Sequence, residues 1–184
     1  MFRAHRSLVF ILCAVLLTIS GCASSKVLLR YVPANELPAV QTQHNANVGL
    51  VQFTDARSTL ILGIDNGKEI TPVTNVAAWV TRGLENELVR QGATVKYVLT
   101  PNQIASFPTR VTGTISQLKI TPLSVAEYRG EMTLSIAVNN GLPTTYKATV
   151  IKQGVPYTNI IEPLLAELLQ EAITPAVPII LAEK

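Results

Sequence analysis

The sequence predicts an α+β fold, a mostly antiparallel sheet with two main helices packed on one face. Three features carry this prediction: two segments with apolar residues at helical spacing, several runs that alternate apolar and polar residues, and an Asn-Gly turn between short apolar runs. The chain has 184 residues, of which 48% are hydrophobic. It is therefore long enough for one core and too short for two domains of ordinary size.

The clearest helix is predicted over residues 71–91, where apolar residues recur at every fourth position. Thr74 or Asn75 is the expected N-cap, and Gly92 lies where a left-handed C-cap is common. The Arg82–Glu85 and Glu87–Arg90 pairs are spaced to meet on the solvent side of this helix.

A second helix with a broad apolar stripe is predicted to start after Asn159. Pro175 and Pro178 break or kink the chain beyond this helix. Residues 179–181 are therefore expected to form either a short helical piece or a docked tail.

The predicted strands are short apolar or alternating runs bounded by turn residues. Asn66-Gly67 has the preference of a type I′ turn, and the run at 48–53 has the pattern of a strand buried on both faces. The last three runs are expected to form an antiparallel meander. The predicted strands are 48–53, 60–64, 68–70, 95–99, 110–120, 131–138 and 145–152.

The N-terminus has the layout of a secretory signal. Arg3 and Arg6 precede an almost wholly apolar run at 7–19. About twelve apolar residues rise about 18 Å as a helix, which is short of the ~30 Å hydrocarbon core of a bilayer. A permanent membrane span is therefore not expected here.

The residues after this run resemble the lipobox of bacterial lipoproteins: Ile19, Ser20 and Gly21 stand directly before Cys22. The resemblance implies that peptidase removes residues 1–21 and that Cys22 carries a diacylglycerol and an acyl chain such as palmitate. The alternative is an ordinary signal peptide with a coincidental cysteine. Ala23 stands where an aspartate usually signals inner-membrane retention, so the outer membrane is favoured. Residues 22–47 are predicted to be a lipidated tether, with one short apolar strand near 27–32, and 48–184 a periplasmic domain.

Composition excludes several partners and chemistries. The net charge is +3, from 15 basic and 12 acidic residues. Loss of Arg3 and Arg6 with the signal leaves 13 basic residues against 12, so no basic footprint for nucleic acid is expected. The two cysteines are Cys13, in the signal, and Cys22. The mature domain therefore offers no free thiol or disulfide.

Reactive groups are sparse in the mature sequence. His44 is its one histidine, in the polar tether, and no group of residues has metal-ligand or phosphate-loop spacing. No enzymatic activity, cofactor or metal is predicted. Asp55 and Arg57 form a candidate recognition patch after the first domain strand; the alternative is an exposed ion pair in a turn, worth ~0–1 kcal/mol. Asp65 is expected to be a turn residue.

The order of these features is similar to that of the YajG-like family of bacterial lipoproteins. The resemblance is carried by the lipobox at Cys22, Asp55-Ala56-Arg57, the run Gln91-Gly92-Ala93-Thr94-Val95, and Tyr146 before the C-terminal helix. It implies a periplasmic domain anchored to the outer membrane, with no catalytic residues.

Three functions are compatible with these features. The first is a non-enzymatic lipoprotein that binds an envelope protein or supports an assembly. The second is a carrier of a small apolar ligand or lipid, or an accessory lipoprotein of an envelope transporter. The third, an enzyme that uses Asp55 or another carboxylate, has the least support.

Overall fold

A computed structural model describes residues 24–33, 46–155 and 159–183. The α+β prediction is confirmed: five strands precede the first helix, and three consecutive strands precede the last two helices. The elements are β1 (Ser25–Val27), β2 (Asn47–Val51), β3 (Thr54–Asp55), β4 (Gly63–Asp65), β5 (Lys68–Pro72), α1 (Val76–Arg90), β6 (Thr94–Val98), a 3-10 turn (Pro101–Ile104), β7 (Thr109–Ser124), β8 (Glu127–Val138), β9 (Thr144–Gln153), α2 (Ile161–Ile173) and α3 (Ala176–Ala182).

The larger sheet has the order β6-β2-β7-β8-β9, with β3 paired to β7 beside that path. The predicted β7-β8-β9 meander is antiparallel as expected. β2, however, runs parallel to both β6 and β7. A parallel neighbour needs a crossover, and α1 supplies it between β5 and β6. A smaller sheet has the order β1-β5-β4.

The helices cover one face of the larger sheet. Val80, Leu84 and Leu88 of α1 are fully buried, and Leu164 and Leu168 of α2 join the same core. On the opposite face of β2, Val51 packs with Val98 and Ile104. Both faces of β2 are therefore buried, as its apolar sequence predicts.

Local sequence patterns correctly predicted the two ends of α1 and the first hairpin. The Asn75 side chain accepts a hydrogen bond from the Ala78 N–H at 3.0 Å and begins α1. Gly92 has φ 87° at the other end of that helix. Asn66 and Gly67 both have positive φ, as a type I′ turn between β4 and β5 requires.

The C-terminal residues form the short helix α3, whose Val177, Ile180 and Leu181 are buried. Among the described residues, the helical stretch Ile161–Ala182 is the one long and apolar enough to cross a membrane. Most of it is buried inside the domain, where α2 packs on β8 and β9. Its apolar character is therefore that of a core helix.

The Glu87–Arg90 pair does not lie on the solvent side of α1, and that expectation was wrong. Glu87 is 2% exposed because Tyr31, from the N-terminal segment, packs over it. The Tyr31 hydroxyl donates to Glu87 Oε1, and Arg90 Nη2 donates to Glu87 Oε2 at 3.0 Å. Arg82 and Glu85 do meet at an exposed position, 2.7 Å apart.

Residues 24–33, which the sequence assigned to the tether, pack on the domain. The short strand expected near 27–32 is β1, two residues earlier, and it pairs in parallel with β5. The Leu28 N–H then donates to Glu162 Oε1 at 3.2 Å, which ties the segment to the start of α2.

Candidate functional site

A groove lies where the chain departs from β7 and returns to it. The Ala56 N–H donates to the Ile115 carbonyl at 2.9 Å, and the Ile120 N–H donates to the Leu62 carbonyl at 2.6 Å. Between these two contacts, residues 57–61 arc away from the strand. The space left beside β7 has a volume of about 540 Å³.

The start of this arc is held by α1. The Phe53 N–H donates to the buried Thr81 Oγ1 at 2.9 Å, just before β3 pairs with β7. Gly63 permits the return, because a Cβ there would overlap the Ile120 carbonyl oxygen. The groove therefore depends on one close approach between two backbones.

Aliphatic and polar residues line the groove in similar numbers, and two of the polar side chains are cationic. Leu62, Leu118 and Ile120 are buried, and Ile64 is 58% exposed at one end. The volume falls in the range typical of small-molecule sites. The lining residues are 57–59, 61–64 and 116–122.

Arg57 is the buried charge of the groove. Its Nε and Nη2 donate to the two carboxylate oxygens of Asp55 at 2.8 and 2.7 Å. The Arg57 side chain is 4% exposed and that of Asp55 is 24% exposed. The sequence alternative of an exposed ion pair was therefore wrong: β3 pairs with β7 and draws Arg57 beneath the surface.

The hydrogen bonds from Arg57 hold the pKa of the Asp55 carboxyl below its ordinary value, against the opposing effect of burial. Asp55 is thus a charged partner of Arg57 and a weak base. Within the described chain, Arg57 Nη1 is buried and has no hydrogen-bond partner. A buried guanidinium nitrogen without an acceptor is uncommon, because unmet polar groups cost free energy.

The polar groups that line the groove are cationic or neutral. The groove lining carries Arg57, Lys119 and hydroxyl groups, without a carboxylate, thiol or imidazole among the described lining residues. No group of three or more potential metal ligands occurs in the described part of the chain. The arrangement can hold an aliphatic group and pair an acidic group with Arg57.

The structure brings Asp55 and Arg57 together and leaves other predicted site residues apart. Asp65 was expected in the turn, but it is the last residue of β4, and its carboxylate accepts from the Tyr128 hydroxyl at 3.0 Å. Burial, together with that hydrogen bond, raises the pKa of Tyr128. The predicted lipidation residue Cys22 lies outside the described residues, as does His44. The predicted peptidase-recognition residues lie outside them too: Ile19, Ser20 and Gly21.

Sequence reasoning missed the aliphatic half of the groove. Leu62 and Leu118 belong to segments 56 residues apart that meet through long-range backbone pairing. One signal was present: Gly63 interrupts an otherwise apolar run, and a glycine there indicates close backbone approach.

No protein-family model matches the chain, and no curated protein matches it in sequence. Among solved structures, the chain is similar to a Xanthomonas campestris protein of the DUF330 family, with TM-score 0.49 and 9% identity over 85% of this chain and 93% of that one. It is also similar to a single-residue variant of the PelC dodecamer from Paraburkholderia phytofirmans, with TM-score 0.45 and 12% identity over 72% and 89%.

A third similar structure is the lipoprotein GNA1162 of Neisseria meningitidis, with TM-score 0.38 and 12% identity over 72% of this chain and 99% of that one. One of these three neighbours is thus a lipoprotein. All three TM-scores are below 0.5, so none of the neighbours supplies a function for this chain. The YajG-like resemblance rests on the sequence.

Proposed function

We propose that this chain is a non-enzymatic lipoprotein of the outer membrane, anchored through lipid on Cys22, whose periplasmic domain binds a small aliphatic acid. The lipobox-like residues before Cys22 support the anchor. The ligand class is supported by the buried Arg57, which has one donor nitrogen without a partner in the described chain, beside a groove of mixed aliphatic and polar lining.

The ligand chemistry follows from the two parts of the groove. Ile61, which is half-buried, and Ile64, which is exposed, offer contact to an alkyl chain, whose burial is favourable in proportion to its area. A carboxylate or phosphate at the Arg57 end completes the hydrogen bonding of the guanidinium, and charge-assisted bonds of this kind are the strong ones. An uncharged molecule with the same alkyl chain gains the burial of that chain but not the charge-assisted hydrogen bond.

The anchor is tested by replacing the sulfur with oxygen. Cys22→Ser should abolish palmitate incorporation and leave the precursor uncut. The matched control is Cys13→Ser, inside the predicted signal, which should incorporate palmitate normally. Equal labelling of the two variants would remove the anchor from the proposal.

The ligand class is tested with dodecanoic acid and dodecanol, which differ in the head group. Calorimetry should show the acid binding about tenfold or more tightly, as expected for a charge-assisted hydrogen bond. The double variant Asp55→Asn with Arg57→Gln keeps the side chains polar without charge and should remove this preference. Arg82→Gln with Glu85→Gln neutralises an exposed ion pair and should retain it. Equal binding of acid and alcohol by the unaltered protein would refute the assignment.

A protein partner is the second candidate, favoured by one observation. Leu60, on the arc beside the groove, is 75% exposed. A photo-crosslinker at Leu60 in intact envelopes should then capture one reproducible protein. The same crosslinker at Leu99, which is 67% exposed at the end of β6, is the control. If the crosslinkers at Leu60 and Leu99 capture the same proteins, the proposal of a specific partner at the groove is refuted.

A further inference from the structure

The N-terminal strand fixes where a lipid on Cys22 would meet the domain. Ser25 is paired with Ile70, and the Val73 N–H donates to the Val27 carbonyl at 2.9 Å. Three residues of extended chain span at most about 11 Å. A lipidated Cys22 would therefore lie within about 11 Å of Ser25, whatever conformation joins them.

Two turns lie at the same end of the domain as Ser25. The β4–β5 turn contains Asn66, and the β7–β8 turn contains Val125. The Tyr128 hydroxyl joins the two turns through its 3.0 Å hydrogen bond to Asp65. A cavity of about 380 Å³ is lined by Ser25, Asn66 and Val125 together, which shows their proximity.

This end carries exposed aliphatic side chains. Ile64 is 58% exposed, Leu123 is 41% exposed and Val125 is 69% exposed. We call these three residues the aliphatic end. Exposed Lys26 and Lys68 stand near it, as does exposed Glu69, so the charges nearby are mixed in sign. The aliphatic end is therefore characterised by its exposed apolar side chains and not by a net charge of one sign.

We propose that the aliphatic end rests on the lipid bilayer that holds the Cys22 anchor, with Ile64, Leu123 and Val125 at the boundary between headgroups and acyl chains. The short link from Cys22 to Ser25 leaves this end little distance from the bilayer. Aliphatic side chains at such a boundary add to the hold of a lipid anchor. The inference rests on the anchor in the proposed function and adds a fixed orientation to it.

The orientation also bears on the groove. Ile64 belongs both to the aliphatic end and to the groove lining, and Pro122 lines the groove directly before Leu123. The Pro122 end of the groove thus faces the bilayer, and the Arg57 end lies farther away. An acidic amphiphile can pass between bilayer and groove by a short route.

The test places a polarity-sensitive fluorophore at each end of the domain. In the mature lipoprotein Cys13 is removed and Cys22 is acylated, so Val125→Cys supplies the one reactive thiol. The matched control is Leu142→Cys, at a site 94% exposed beyond the far end of β8. The twelve residues of β8 separate the two sites by about 40 Å.

Both labelled lipoproteins are reconstituted into vesicles of phosphatidylethanolamine and phosphatidylglycerol. Emission from position 125 should shift to the blue and be quenched by spin-labelled lipid, and emission from position 142 should do neither. Leu123→Cys supplies a second readout at the same end and should behave like position 125.

Vesicle flotation separates the two proposals. A protein that floats while positions 125 and 142 give equal emission keeps the anchor and overturns the orientation. A protein that fails to float overturns the anchor and the orientation with it. The emission from position 125 is also compared between native envelopes and vesicles that hold no protein besides the lipoprotein. A blue shift seen only in native envelopes assigns the aliphatic end to a protein partner and overturns the lipid contact.

Discussion

Arg57 binds Asp55, two residues earlier in the chain, through two parallel hydrogen bonds of 2.8 and 2.7 Å. The pair is local in sequence and yet buried at the arginine, because β3 joins the edge of β7. Two carboxylate oxygens thus accept from two of the guanidinium nitrogens, and Nη1 is buried without a hydrogen-bond partner among the described residues.

Asp55→Asn should lower the free energy of unfolding by about 2 kcal/mol, because a buried guanidinium loses its charged acceptor. Urea unfolding at neutral pH measures the change. Glu85→Gln breaks the exposed pair with Arg82 and should cost less than about 0.5 kcal/mol. If the two variants lose similar amounts of unfolding free energy, the burial of Arg57 does not strengthen its ion pair with Asp55.

The Asp55 contribution should disappear in acid. Its folded-state pKa lies below the ordinary value of 3.8, so its contribution is complete above that pH and is lost as the pH falls through the folded-state pKa. The difference in unfolding free energy between the unaltered protein and Asp55→Asn should therefore shrink below about pH 4. Urea midpoints measured from neutral pH downward check this; a constant difference would contradict it.

Tyr31→Phe should lower the free energy of unfolding by about 1–2 kcal/mol, because the buried Glu87 carboxylate loses a donor. Hydrogen exchange should also become faster over residues 28–33, which Tyr31 holds against α1. Tyr146→Phe is the control: burial alone raises the pKa of Tyr146, and loss of its hydroxyl should leave exchange at 28–33 unchanged.

Tyr31 also predicts an alkaline limit of stability. Burial and the hydrogen bond to Glu87 raise its folded-state pKa far above the ordinary value of 10.0. Its contribution is complete below pH 10, and it is lost as the pH rises beyond that value, because the unfolded chain then releases a proton that the folded one keeps. Stability of Tyr31→Phe should fall less steeply above pH 10 than that of the unaltered protein, as urea midpoints at rising pH would show.

Gly63→Ala should destabilise the protein by about 2–3 kcal/mol, because the new Cβ meets the Ile120 carbonyl, a backbone atom with little freedom to move. Gly67→Ala is the matched control. Its Cβ meets nothing within 4 Å, and only its φ of 75° is unfavourable, which should cost about 1 kcal/mol. Thermal or urea unfolding ranks the two, and the opposite order would contradict the close approach at Gly63.

The sequence alone determined what depends on neighbours in the chain. The Asn75 cap, the Asn66-Gly67 turn and the alternation along β8 are decided by residues a few positions apart, so local pattern was enough to predict them. Tertiary structure decided whatever depends on distant segments: the parallel placement of β2, the burial of Glu87 beneath Tyr31, and the hydrogen bond between Leu62 and Ile120 that closes the groove. Arg57 shows the division most clearly. Its partner is two residues away and could be read from the sequence, but its burial comes from β7, about sixty residues later, and no local pattern encodes the dielectric surroundings that a distant strand creates.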